Sequence, residues 1–391
     1  MTVPLEFSPI LSRTMKTLFL STLALSAVVL SPLRGEVPTA TSFLKSPNVG
    51  DPGLKSVGPL AFGPDGLLLI AEPGIPAVVA VATGDRGPLS PLVQPLGDTL
   101  AAMAKALPAD PKSLQIIDLA ANPASGTAYL AVRDESAKSV AIVTVRADGT
   151  VTKLDWSTLP HVRVPLPKSE TAAVRTISDL AFAGDRVLVT AQSSEEFSSK
   201  ILSLPLPLDA AGTGRIFSAE TYHVSHRKWE TKAPIQSFVP YLDNGVPCVL
   251  GAFACTPLAK FPLADLESGA NIRGTSVVEL GSGNRPLDVF TYRNKAGAWI
   301  VTNTLRFHQP LFGPSKYWGV RVNLDLAARQ SETEINENAL RRNVKEPTRT
   351  PEIEIVEALH GAVQVDKIDD TRMIVLREDG DRLKLEVCAL P

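Results

Sequence analysis

The sequence predicts an all-β fold built from six repeated, four-stranded units, and three observations carry that expectation. Proline is abundant, at 32 of 391 residues, and each proline removes a backbone donor and breaks helix interiors. Short apolar runs alternate with Gly, Pro, Asn and Asp turn signals along most of the chain. The same run–turn–run pattern then returns at a nearly fixed period, which marks a repeat architecture.

The repeat begins at Val57 with VGPLAFGPDGLLLIAEPGIPAVVAVATGD, in which Asp65-Gly66 between apolar runs is a hairpin signal. It recurs as IIDLAANPASGTAYLAVRD from Ile116, ISDLAFAGDRVLVTAQSSEEF from Ile177 and QSFVPYLDNGVPCVLGAFACTPLAKF from Gln236. Two further copies are PLDVFTYRNKAGAWIVTNTLRF from Pro286 and GAVQVDKIDDTRMIVLRED from Gly361. Equivalent first-strand residues Leu60, Leu119, Leu180, Val239, Val289 and Val363 are spaced by 59, 61, 59, 50 and 74 positions. Third and fourth strands follow, for example Ser139–Val145 and Thr150–Asp155 in the second copy, and Lys200–Leu204 and Thr221–Val224 in the third. Such units repeated around an axis make a β-propeller. The sixth copy ends after three strands, the last being Arg382–Ala389, so Val37–Leu44 is expected to supply its outer strand and close the ring. Two insertions interrupt the period. Asp98–Leu107 reads as an Asp-capped helix, and the polar stretch Leu324–Val344 as a surface helix.

Residues 1–35 read as an export signal, leaving 36–391 as a single domain. Met15-Lys16 precedes the 14-residue apolar run Thr17–Leu30, followed by small residues up to Gly35. That run is shorter than the roughly 20 residues a spanning helix needs, so no membrane span is expected in the mature chain, which is placed in the periplasm or outside the cell. Either Met1 or Met15 can be the start. The 41 acidic and 39 basic residues leave a charge of −2, without the basic footprint of a nucleic-acid binder. Three cysteines and no CxxC pattern exclude a disulfide framework and a zinc ladder. Cys248 and Cys255 lie on one expected strand, roughly 23 Å apart if extended, so they should not pair with each other. His223 and His226 form an HxxH pair placed on opposite faces of an outer strand, as surface residues. Zincin, nucleophile-elbow and phosphate-loop motifs are absent.

The pattern resembles six-bladed, TolB-like propellers, and PLAFGPDGLLLIAE in the first copy is similar to the NHL and gluconolactonase-type blade. The resemblance implies that the start of each first strand and the loop after each second strand share one face around a central channel. On that geometry Asp118, Asp179 and Asp288, each just before its equivalent first-strand residue, stand at one level of the channel, with Gln364 there in the sixth copy. Converging carboxylates repel unless a cation or donors stand between them. Two readings follow: each Asp caps backbone amides of its own inner turn, or the group holds a hard cation such as Ca²⁺ with Asn303, as the resemblance to gluconolactonase-like propellers implies. Arg133, Arg175, Arg285 and Arg306 are candidates for neutralising the ring or holding an anionic ligand, and Cys255 for a ligand contact or a nucleophile if a His lies near.

The functional expectation is an exported scaffold that binds a small molecule, glycan or protein through its channel face. The alternative is a Ca²⁺-dependent hydrolase of lactones or related esters, although Pro59 stands where those families place an axial Glu. Fold alone does not choose between them.

Overall fold

Strand Leu67–Glu72 shows how the repeats become layers. Its residues LLLIAE are all buried, and they divide by alternate faces: Leu67 and Leu69 pack with Leu180, Val189 and Leu202 of the third repeat, whereas Leu68 and Ile70 pack with Tyr129, Ala131 and Ile142 of the second. A strand covered on both faces has no polar face, which is why these runs read as continuous apolar stretches. In a computed structural model of the chain, residues 39–168, 173–255, 257–265, 271–281, 283–306, 314–329, 340–341 and 353–391 are described. The expected export signal, His308 (the one histidine expected on the same face as Cys255) and most of the polar stretch before the sixth repeat lie outside them.

The fold is all-β with a propeller-like arrangement. Each repeat opens with a strand at its inner edge and continues outward by antiparallel pairing. The first strands are Leu60–Phe62, Leu114–Ala121, Val174–Phe182, Ile235–Asp243, Asn284–Asn294 and Ala362–Lys367. The second, fifth and sixth repeats form separate sheets of four, four and three strands. The third and fourth join into one ten-stranded sheet, because Arg215–His223 pairs in parallel with Asn271–Glu279. At the first hairpin Asp65 and Gly66 both take positive φ, 56° and 75°, as a tight Asp-Gly turn requires. The inserted helix is Thr99–Ala106, capped by Asp98, whose carboxylate accepts the Ala101 N–H at 2.9 Å. The polar insertion yields a short helix, Asp325–Arg329, within the described residues.

The order of repeats around the axis departs from the order along the chain. First strands touch in the cycle three, four, five, six, two, one and back to three, and an apolar cluster fills each of these six contacts. The chain lays down the inner strands of the first repeat and then builds the second beside it. It returns as Pro160–Pro165 to pair with Ala77–Ala82 and complete the first sheet, and then enters the third repeat. The sixth repeat therefore packs against the second, where Leu130, Val132 and Val143 meet Ile374, Leu376 and Leu385.

Closure by an N-terminal strand is corrected. Ala40–Phe43 is a 3₁₀ turn and Leu44 makes a parallel bridge to Leu208. Ala40 and Leu44 are buried in the cluster of the first and third repeats, with Phe43 packed against it; this spacing is helical, so the segment cannot present a strand edge. The outer edge of the sixth repeat meets Leu96 instead, through the reciprocal bonds Leu96 N–H to Leu385 O (2.9 Å) and Leu385 N–H to Leu96 O (3.0 Å).

That bridge gives a direct test of the ring order. Residues exchanging both backbone bonds in an antiparallel pair have Cα atoms about 5.5 Å apart, within disulfide range. The L96C/L385C double variant should form an intramolecular disulfide on oxidation, seen by its mobility on a non-reducing gel and by peptide mapping. Neither single variant should do so. Failure of the pair to cross-link in folded protein would refute the packing of repeat six beside repeat two.

Candidate functional site

On the axis lies a cavity of about 240 Å³ to which all six first strands contribute wall residues. Asp118, Asp179 and Asp288 line it, as their shared register implied, and so does Asp366. In the second and third repeats a bulge precedes the aspartate, between Ile116 and Asp118 and between Ile177 and Asp179. Gln364 follows the corresponding bulge of the sixth repeat, but Val365, Asp366 and Lys367, not Gln364, supply that repeat's part of the cavity wall. Asp366, two positions further, shares the face of Gln364; the period-2 pattern of Gln364-Val365-Asp366 was the signal by which it could have been found.

The aspartates latch neighbouring repeats together. Leu60 N–H donates to Asp118 Oδ2 at 2.6 Å, Ala121 N–H to Asp366 Oδ2 at 2.7 Å, and Val365 N–H to Asp288 Oδ2 at 2.9 Å. Asp179 Oδ2 accepts both Phe238 N–H and Ser237 Oγ–H at 2.8 Å. In each of these bonds the donor belongs to the first strand of the next repeat in the cycle. Asp179 and Asp366 also cap their own strands, with Oδ1 accepting Leu180 N–H at 2.8 Å and Lys367 N–H at 2.7 Å, so the expected capping within a repeat is present beside the latch. The physical reason is the sheet edge: a first strand has no further strand toward the axis, so its inward N–H groups need acceptors from elsewhere. Gln364 works in the opposite sense, donating Nε2–H to Ile117 O at 2.9 Å. Its Oε1 is buried without a hydrogen-bond partner.

Asn303 is fully used as a bridge. Its Oδ1 accepts Asp288 N–H at 2.9 Å, and its amide donates to Ala362 O (3.2 Å) and Val363 O (3.0 Å). It therefore does not fit the role of calcium ligand. The cavity carboxyl groups are hard oxygen donors of the type Ca²⁺ takes, but each already accepts backbone hydrogen bonds.

Electrostatics makes the cavity unusual. Each aspartate keeps part of its surface open because it faces the cavity, with protein packed around the rest of it. Burial pushes Asp179 up to about 6, Asp366 to about 7 and Asp288 to about 8. Asp118 rises well above the ordinary carboxylate range, through burial first and the nearby Asp288 second. Among the described wall residues Lys367 is the one cation, and its ammonium bonds the exposed Asp370 at 2.8 Å.

The arginines named from sequence are not brought to this wall. Arg133 pairs with Gln115 and Glu135, Arg175 is exposed, and Arg285 bonds Gln236 Oε1 at 3.0 Å, linking the fifth repeat to the fourth. Arg306 is buried over the ring of Trp318, 4.3 Å from its centroid. Cys255 lies away from the axial wall in a turn beyond strand Val246–Phe253, and no disulfide joins Cys248, Cys255 and Cys388. The placement of His223 and His226 on opposite faces is corrected: a turn after strand Arg215–His223 folds the chain back, leaving the two rings 4.0 Å apart and His223 buried.

No family model and no curated protein matches the chain. Among solved structures, it is similar to a PQQ-bound aldose sugar dehydrogenase from Streptomyces coelicolor, with 14% identity over 87% of this chain and 96% of that one, at a TM-score of 0.35. A streptogramin B lyase matches at 8% identity over 87% and 96%, with a TM-score of 0.30. An exo-1,5-α-L-arabinanase from a bovine ruminal metagenomic library matches at 10% over 70% and 91%, with a TM-score of 0.36. Likeness at this level leaves the reading to the chain's own residues. Among the described residues no helix is long and apolar enough to cross a membrane.

Two outcomes follow. Asn303→Ala strands one buried N–H and two carbonyls, and should lower unfolding free energy in urea by about 2–4 kcal/mol; an unchanged midpoint would remove the bridging role. The aspartates have raised native values against about 3.9 unfolded, so the native state holds more protons between about pH 4 and pH 8 and stability falls as pH rises through that window. Asp288→Asn should flatten this slope and melt about 2 °C or more above wild type at pH 8. Parallel melting curves for the two proteins would contradict the assignment.

Proposed function

We propose that the chain is an exported, six-bladed β-propeller that acts as a binding scaffold through its channel face. The six first strands in a closed cycle and six apolar clusters between neighbours support the blade count, and Met15–Gly35 supports export. The similarity to TolB-like and NHL-type blades rests on PLAFGPDGLLLIAE, while the exchanged order of the first two repeats is this chain's own. One observation carries the binding reading: a cavity of about 240 Å³ on the axis, faced by carboxyl groups from four different repeats. A ligand suited to it is small and offers positive charge or several hydrogen-bond donors, such as an amine, a sugar hydroxyl cluster or a metal cation.

The second reading, a Ca²⁺-dependent hydrolase of lactones or related esters, is favoured by the four carboxyl groups of Asp118, Asp179, Asp288 and Asp366 around one cavity, hard oxygen donors of the kind a calcium shell uses. Thermal shift with Ca²⁺, small polyamines and monosaccharides separates the possibilities, since a ligand bound only by the native state must stabilise it. At least one should raise the wild-type Tm by about 2 °C or more, and the D118N/D179N/D288N triple variant should lose that shift. If the active ligand is Ca²⁺, turnover of a panel of lactones and aryl esters supports the hydrolase. No ligand-dependent difference between wild type and the triple variant would overturn the axial binding site.

A further inference from the structure

A second constellation sits off the axis, where the third and fourth repeats are joined. Strand Arg215–His223 ends in a tight hairpin onto Lys228–Trp229, closed by His226 N–H to His223 O (3.1 Å) and Arg227 N–H to Val224 O (3.2 Å), with Arg227 at φ 53°. The hairpin turns His226 back over His223. From the fourth repeat, Cys255 follows strand Val246–Phe253. One ligand atom from each of His223, His226 and Cys255 lies within 4.8 Å of the other two, and among the described residues this is the group of His, Cys, Asp and Glu side chains that comes together so closely.

The surroundings are those of a built site. His223 is 3% exposed and its Nδ1 is buried without a hydrogen-bond partner. Its Nε2 faces Glu279 Oε2 at 3.5 Å. Glu279 is itself buried at 1% exposure and is held by the backbone N–H of Ser225 at 3.1 Å and by the Ser225 hydroxyl. Glu230 fixes its Oε1 on the Lys232 and Ala233 N–H groups at 2.9 and 3.0 Å, and its Oε2 lies 3.7 Å from His223 Nδ1. A metal-bound histidine commonly has its other ring nitrogen on a carboxylate, which sets its tautomer and orientation. Glu279 stands in that relation to His223, leaving Nδ1 for an ion.

We propose that His223, His226 and Cys255 bind a divalent transition metal of the Zn²⁺ class, with Glu279 orienting His223 and Glu230 placed beside the fourth position, so that the ion clasps the third and fourth repeats. The donor set decides the class. Two imidazoles and a thiolate suit Zn²⁺ and its tetrahedral substitutes, and are poor ligands for Ca²⁺ or Mg²⁺. Ligand atoms on one tetrahedral ion, with bonds of about 2.0–2.3 Å, lie roughly 3.3–3.8 Å apart. The 3.7 Å between Glu230 Oε2 and His223 Nδ1 falls within that spacing. The site draws on no residue of the axial cavity, so it stands or falls apart from the scaffold reading.

The test uses the full chain without an affinity tag, stripped with chelator and titrated with Zn²⁺ and separately with Co²⁺. One equivalent should bind, Zn²⁺ should raise the Tm, and Co²⁺ should give a near-ultraviolet thiolate charge-transfer band with visible bands of a tetrahedral ion. Cys255→Ser should abolish the charge-transfer band, and His226→Ala should weaken Zn²⁺ binding at least ten-fold. Because His226 is exposed and Cys255 only half-buried, both variants should melt like the metal-free wild type, which separates lost binding from lost fold. Wild type that takes up no more Zn²⁺ than the H226A/C255S double variant, or Co²⁺ bound without a thiolate band, would overturn the proposal.

Discussion

The inner edge of each sheet is the constraint on which the rest of this molecule depends. A strand next to the axis has a row of N–H and C=O groups facing a space too narrow for another strand, and leaving them unpaired would cost more than most single contacts provide. Here the neighbouring repeat supplies the acceptors. Asp118, Asp179, Asp288 and Asp366 each take an N–H from the next first strand, while Asn303 and Gln364 supply donors to carbonyls. The latches satisfy part of these edges and tie the third repeat to the fourth, and the fifth, sixth, second and first in succession. They also concentrate acidic groups on the axis, so the structural solution and the chemical character of the cavity have one origin.

The cycle of repeats follows from the same latches and from the apolar clusters outside them. Asp366 reaches across to Ala121 and Leu385 to Leu96, contacts that span more than half the chain. The return strand Pro160–Pro165 commits the first sheet only after the second has been made. Contacts of such sequence separation require loop closure before they contribute stability, and the ring is complete only once the sixth repeat packs beside the second. The first two repeats are thus enclosed between the third and the sixth.

Much of this was legible in the sequence because burial on both faces writes itself as continuous apolar strands with Asp-Gly or equivalent turns between them. Leu67–Glu72, Ala128–Asp134 and Arg382–Ala389 fall where those patterns put them, and the equivalence of Asp118 and Asp179 survived because a bulge of identical placement precedes each. The order of repeats was not legible, since nothing local in Pro160–Pro165 states which sheet it completes. Nor was the role of the segment before the first repeat, although the helical spacing of Ala40, Phe43 and Leu44 contradicts a strand. His223 and His226 were misplaced for a simpler reason: a period-2 argument holds only inside a strand, and this strand ends at His223. The pairing of Cys255 with them is tertiary and leaves no local trace.

The latching carboxylates also bear on how the cavity behaves toward an occupant. Their backbone bonds favour the ionised form, but enclosure by protein outweighs them, so Asp179, Asp288 and Asp366 are raised to about 6, 8 and 7. Near neutral pH part of this acidic group therefore carries protons. A cationic occupant has to displace those protons, which makes its affinity rise with pH over the same window in which the empty fold loses stability. A neutral hydrogen-bonding occupant gains nothing from deprotonation and follows no such trend. The sign of that dependence is set by the sheet edges that brought the carboxylates to the axis, and it distinguishes the two classes of ligand without knowledge of either.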